Sequence, residues 1–407
     1  MSNYGENLYG SGLYGGGEPP VISGVVPVIV EWYSNTLTYK GAFQTGVGGF
    51  LQTSFSISES GPQDFTLYFS KSVGILKKDI IKIKIFNSEA YFFTGVVRTI
   101  PIDGSTKEEY NYLGFGMYDY IDRLNAGPLA YVTQTIDYIL NDIIDSVIVS
   151  KTPIQKNATK IIPPNITIAT FDANYASLAD VLDSLLKIAN SEDDYICGVD
   201  QNNEFFFKPR SEDIKAVLAV GKSGLYGIES YEPEDGVEAI STYYVLDKDG
   251  NYVTTLTSSE DIDISEEKLT APDIDNTSIG KWAAGLLAEN EIASRSASIR
   301  WKIEPVDPIV LMADGYLRVI SNIPSDTTAS PDSNPFGAGV FGSGIFGGGQ
   351  YRGKDIDDTL KIVEVSYTIS DSEAVRDIQL GALPVRLEDD IIRIRKNLND
   401  LRISLGR

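Results

Sequence analysis

SLADVLDSLLKIANSEDDYICGVDQNNEFFFKPR, residues 177–210, changes its hydrophobic period halfway along. Leu178, Val181, Leu182, Leu185 and Ala189 recur at helical spacing, which predicts one apolar face of a helix ending near Asn190. Ser177 stands at the N-cap position, and Asp180 stands where a capping box places an acid. After the helix, YICGV and EFFFKP are strand-like runs separated by Gln201-Asn202-Asn203, so a hairpin is expected. Just upstream, TIDYILNDIIDSV repeats the helical pattern through Ile136, Ile139, Leu140, Ile143, Ile144 and Val147, with Thr135 as the N-cap. Residues 128–225 therefore read as an α/β helix-hairpin unit.

On both sides of this unit the pattern is β. DFTLYFS and DIIKIKIF alternate, and YFFTGVVRTI follows DIIKIKIF after the polar break Asn87-Ser88-Glu89. Residues 21–127 are thus expected to form a small antiparallel barrel or sandwich. Strand-like runs return in AISTYYVLD, NYVTTLT, ASIRWKIEP, YLRVI, LKIVEVSYTI and VRDIQLG, with a helix around SIGKWAAGLLAENEIASRS. Residues 226–384 read as a second β domain. The fold class is α+β, mainly β: two tube-like β-barrels, the α/β insertion, and a C-terminal helix.

Two tracts fall outside this scheme. The first 20 residues carry YGENL, YGSGL and YGGGE from Tyr4, and the loop 325–354 carries FGAGV, FGSGI and FGGGQ from Phe336. An aromatic recurs every five residues at Tyr4, Tyr9 and Tyr14, and again at Phe336, Phe341 and Phe346. The glycines permit close backbone approach, so the tracts are expected to act as arms whose aromatics anchor in apolar grooves of a neighbouring subunit; low-complexity linkers are the plainer reading. Residues 385–407 form the last segment, with Leu387, Ile391, Ile394, Leu398, Leu401 and Leu405 spaced 4, 3, 4, 3, 4. That is a heptad seam, and isoleucines at both core positions favour a trimer over a dimer; packing of the helix on its own domain is the alternative.

Composition excludes several functions. The chain has 407 residues, one cysteine and no histidine, with a formal net charge of −23. Serine and cysteine catalysis through imidazole, histidine metal sites and internal disulfides are all ruled out. No P-loop is present. DKDGN at Asp247 reads as a hairpin turn, because its glycine comes too early for a calcium loop and Ser258 stands at the twelfth position. SSEDIDISEE reads as a solvated acidic loop. Cys197, inside an apolar run, reads as a small buried hydrophobe. No metal or cofactor is expected, and no enzyme activity, with a carboxylate-based glycosidase as the one enzymatic alternative. No apolar run reaches membrane-spanning length, so no stable membrane insertion is expected. Such an acidic chain repels nucleic acid.

The stretch from Leu178 to Ala189, followed by Val199, Asp200, Phe205, Phe206, Phe207, Pro209 and Arg210, resembles the insertion domain of baseplate hub proteins of tailed bacteriophages, the late-control-D-like family. YFFTGVVRTI, YLRVI and VEVSYTISDSEAVRDIQLG look like its barrel strands. The resemblance spans roughly residues 60–385 and lies in the order of elements more than in any one string. It implies a structural virion protein at the tail tip or baseplate. It implies a homotrimer with two barrels per subunit, closing the distal tail tube in a pseudo-sixfold ring. The implied partners are the tail tube or distal tail protein, the tape measure protein, and tail fibre or spike proteins, with DNA passing through during injection without specific binding. The alternatives are a host-binding tail adhesin and the hub of a phage-like contractile injection system.

Overall fold

A computed structural model describes residues 26–47, 49–85, 88–101, 110–220, 227–228, 231–234, 240–258, 264–290, 296–303, 311–320 and 357–381. The first β region supplies β1 (Val28–Tyr33), β2 (Tyr39–Gln44), β3 (Phe50–Ser58), β4 (Gly61–Phe69), β5 (Ile80–Ile85), β6 (Phe93–Thr99) and β7 (Tyr110–Gly116). All their pairings with one another are antiparallel, and the expected β5–β6 hairpin is present, with Ile80 opposite Val96. A short helix α1 (Asp119–Asp122) then turns the chain away from the sheet.

The insertion follows as β8 (Ala130–Thr135), α2 (Ile136–Ile143), a π-helical turn (Ile144–Ile148), α3 (Val149–Lys151), β9 (Gln155–Ile161), β10 (Thr167–Asp172), α4 (Leu178–Ala189), β11 (Tyr195–Val199) and β12 (Glu204–Pro209). The six apolar residues singled out in α2 and its continuation are all buried, and Thr135 caps it by accepting a bond from the Tyr138 N–H at 3.2 Å. The face of α4 is also buried as its spacing requires; each fully buried leucine is worth roughly 1.5–3 kcal/mol. Ser177 does stand at the N-cap of α4, but its side chain makes no cap bond. The helix start is held by tertiary contacts instead: Ser177 forms a β-bridge with Asn125, and the Leu178 N–H donates to the Leu124 carbonyl. Asp180 remains exposed. The β11–β12 hairpin turns at residues 201–203, where Asp200 Oδ1 accepts from the N–H groups of Asn202 and Glu204.

The chain returns through β13 (Ile214–Val220), β14 (Gly227–Ile228), β15 (Glu232–Glu234), β16 (Thr242–Leu246), β17 (Tyr252–Thr257), β18 (Glu266–Thr270), α5 (Asn276–Asn290), β19 (Ser296–Lys302), β20 (Tyr316–Ile320), β21 (Asp357–Ser370) and β22 (Ala374–Leu380). DKDGN is the turn between β16 and β17, with Asp247 Oδ1 accepting from the N–H groups of Asp249 and Asn251.

The two β regions share one 14-stranded sheet. Its hydrogen-bonded path runs β14-β13-β20-β21-β3-β4-β7-β6-β5-β1-β2, with β22, β19 and β15 branching from β21. The fourteen residues of β21 make this possible: its first half pairs with β20, and its second half lies between β3 and β22. One continuous core, from Val26 to Leu380, fills both regions. A second core lies under the insertion. These cores cross the chain limits read from sequence. β13, placed with the insertion at 128–225, joins the large sheet. Tyr243, Val245, Ile279 and Trp282, placed with the second β region at 226–384, pack into the insertion's core. The reason is α5, which crosses α4 so closely that a Cβ on Gly285 would stand 2.0 Å from the Lys187 carbonyl oxygen.

Candidate functional site

The large sheet has two chemically distinct faces where the β regions meet. Strand side chains alternate between faces, and β3, β4 and β21 alternate hydroxyls with aromatics or aliphatics. On the core side Phe55 lies opposite both Tyr367 and Phe65. The Phe55 and Tyr367 rings stack at 4.9 Å, and the Tyr367 hydroxyl donates to the Leu311 carbonyl at 2.8 Å. On the other side Ser54 lies between Thr66 and Thr368, and Ser56 lies opposite Ser366. Gln52 opposite Ser370 extends the row. Beyond β21, Ser366 faces Asp377 of β22 and Glu364 faces Gln379.

From β22 across β21, β3 and β4 to β7, over the rows from Glu364 to Ser370, this face carries Asp64, Glu364 and Asp377 but no lysine or arginine among the described residues. Cations stand at its margins: Arg300 of β19 lies opposite Asp377, 4.0 Å from its carboxylate, and Lys361 of β21 lies just beyond Glu364. Two carboxylates are tied to neighbouring hydroxyls: Ser56 Oγ donates to Asp64, and Ser366 Oγ to Glu364 at 3.3 Å. At the β7 margin Leu113 and Phe115 are exposed, opposite Thr66 and Asp64. Hydroxyls exchange hydrogen bonds freely with water, and a stretch without lysine or arginine offers a phosphate backbone no ion pair.

The insertion hairpin is fastened to one end of this wall. The β3–β4 turn packs on β11, where the Val199 N–H donates to the Ser60 carbonyl at 3.0 Å. Gly61 sits there at φ +98°, with the position of a Cβ only 1.9 Å from the Val199 carbonyl oxygen. Beside it the Arg210 side chain, 4% exposed, donates from Nη2 to Glu59 at 2.6 Å and from Nε to Asp194 at 2.9 Å. Asp194 also pairs with Lys361 of β21 at 2.5 Å. Burial would raise the Asp194 pKa, but Arg210 and Lys361 outweigh it and hold the carboxyl below its ordinary range. At Glu59 burial prevails over Arg210, and the carboxyl titrates above its ordinary range. Lys208 adds a pair with Asp314. The "KPR" of the sequence stretch is thus a clamp between hairpin and wall.

The seam residues Leu387, Ile391, Ile394, Leu398, Leu401 and Leu405, and the arm residues Tyr4, Tyr9, Tyr14, Phe336, Phe341 and Phe346, lie outside the described residues. Cys197 is buried, and burial pushes its thiol pKa up. Among the described residues no group of three or more His, Cys, Asp or Glu side chains is placed to hold a metal, and no helix is long and apolar enough to cross a membrane. The hydroxyl face went unread in the sequence, although its signal is there: TSFSIS and VSYTIS both alternate hydroxyl and apolar residues.

No family model and no curated protein matches the sequence. Solved structures do match. The 43 kDa tail protein of prophage MuSo2 from Shewanella oneidensis superposes with a TM-score of 0.60 over 87% of this chain and 98% of that one, at 10% identity. The tail protein from Neisseria meningitidis MC58 gives 0.58 over 87% and 96%, also at 10% identity. Prophage tail protein gp18 from Listeria monocytogenes EGD-e gives 0.52 over 92% and 99%, at 12% identity. The chain has the fold of phage tail proteins. That fold extends over nearly the full length of each of these neighbours and takes in the insertion as well as both β regions.

Proposed function

We propose that the chain is a structural, non-enzymatic hub of a phage-type tail, located in the virion at the tail tip or baseplate. Three copies form a ring that closes the distal end of the tail tube. Each copy contributes two β domains, and the hydroxyl face lines the opening through which DNA leaves. The observation that carries this reading is that face: a hydroxyl- and carboxylate-bearing surface continuous across both β regions, on the fold of tail proteins, in a chain of net charge −23. The heptad seam from Leu387 to Leu405 supplies threefold contact. The arms at Tyr4 to Tyr14 and Phe336 to Phe346 dock on neighbouring virion subunits. The ring's other contacts are the tape measure protein and fibres or a spike.

The test is to image the purified full-length protein by electron microscopy after coupling a gold label to cysteine at Ser54 or Thr368. A threefold ring with label at the central opening is expected. Label on the outer circumference would overturn the assignment of this face.

A further inference from the structure

One loop is out of character with the acidic chain. Between β4 and β5, Lys71, Lys77 and Lys78 are all exposed, and none makes an ion pair among the described residues. Leu76, between them, is 57% exposed. The loop is held at many points. The Val73 N–H and carbonyl both bond the Tyr112 hydroxyl, at 3.0 and 2.9 Å. Leu76 N–H donates to Asp79 Oδ2 at 3.0 Å, the Lys78 N–H donates to the Val97 carbonyl at 2.8 Å, and Lys40 pairs with Asp79 at 2.6 Å. Ile75 is buried beneath it. Lys78 is fixed at φ +73°, a backbone conformation that costs free energy for a residue with a Cβ. A leucine thus projects into water from a fixed basic mount.

The complementary feature lies over the second core. A cavity of about 290 Å³ opens between β10, α4 and the segment before α5. Its apolar floor includes Phe171, Val181 and Ile274, and its exposed rim carries Asp172, Asp180 and Asp273. Lys248 pairs with Asp273. Asp172 and Asp180 make no ion pair among the described residues.

We propose that the Lys71–Lys78 loop of one copy docks in this cavity of a second copy, with Leu76 on the apolar floor and the lysines against Asp172 and Asp180. Charge complementarity selects the occupant: the unpaired cations and the unpaired carboxylates belong to the same chain. Leu76 is exposed within one copy, so the contact is between copies. The loop and cavity are different surfaces, and a head-to-tail contact of this kind, repeated, builds a ring where the rotation between copies closes. The inference rests on the ring proposed above and names its lateral contact.

The test uses the full-length chain. Lys77→Glu with Lys78→Glu, and separately Asp172→Lys with Asp180→Lys, should each raise the concentration of half-assembly roughly tenfold or more, read by light scattering. Combining the two reversals should bring it back to within about threefold of the parent. All four positions are exposed, and circular dichroism confirms that the variants fold. In a mixture of L76C and N174C copies a disulfide should join the two kinds, with Cys197 buried out of reach. Assembly indifferent to both reversals, no recovery in the combined variant, absence of the mixed disulfide, or a parent that is monomeric at every concentration would each overturn the docking. A gold label on the outside of an intact ring would instead overturn the lumen assignment and leave the docking result standing.

Discussion

Replacing Arg210 by methionine keeps much of the stem volume and removes the guanidinium that ties the hairpin to the wall. In a fully buried pair, stranding the partner charges costs about 3–5 kcal/mol. Here the cation is 4% exposed, but the Glu59 and Asp194 side chains are 37% and 32% exposed. Both can recover water, and Asp194 keeps Lys361. The expected cost at pH 8 is therefore about 2 kcal/mol, near the value for losing one hydrogen bond to a charged group rather than two. The pH dependence has a definite sign. Glu59 already titrates above its ordinary 4.5 in the folded protein because burial disfavours its charge. Without Arg210 that shift grows. A carboxyl whose folded pKa is raised binds its proton more readily in the folded than in the unfolded chain, so the variant regains stability as pH falls from 8 toward 5. Urea denaturation of parent and variant across that range measures the difference. A cost below about 0.5 kcal/mol, typical of a surface substitution, or a cost that grows as pH falls toward 5, would refute the clamp.

Gly61→Ala places a Cβ 1.9 Å from the Val199 carbonyl oxygen at φ +98°, so it should destabilise by about 2 kcal/mol or more in the same assay; neutrality would mean that the turn and hairpin are not in contact. Truncation after Pro384 removes the seam from Leu387 to Leu405 and should raise the concentration at which half the protein is trimeric, measured by light scattering. An unchanged midpoint would move the threefold contact wholly to the β domains.

Local structure was legible because local residues determine it. The α2 and α4 faces, the Thr135 cap and the turns at 201–203 and 247–251 each depend on spacings within one element or on turn chemistry. What could not be read was long-range pairing. β3 meets β21 across some 300 residues of chain, and nothing in TSFSIS names VEVSYTIS as its neighbour. The parallel pairs β9–β12, β13–β14, β13–β20 and β16–β18 were missed for the same reason, since alternation shows a strand without its direction. Ser177 illustrates the limit at the smallest scale: the motif for a side-chain cap is present, and a tertiary β-bridge takes its place.

The wall and the clamp bear on each other. β21 carries the second half of the hydroxyl row and, at Lys361, one member of the ion-pair cluster. β3 carries the first half and is followed directly by Glu59, another member. The strands that unite the two β regions are therefore also the strands on which the insertion hairpin is fastened. A rotation of the insertion away from the wall would have to break Arg210 from Glu59 and Lys361 from Asp194 together, and would lift the Ser60 carbonyl from β11. These bonds lie at the end of the hydroxyl row, so they fix the insertion relative to the face without placing a cation within it. The cations needed for rigidity sit at the junction, while the stretch assigned to passing DNA has none.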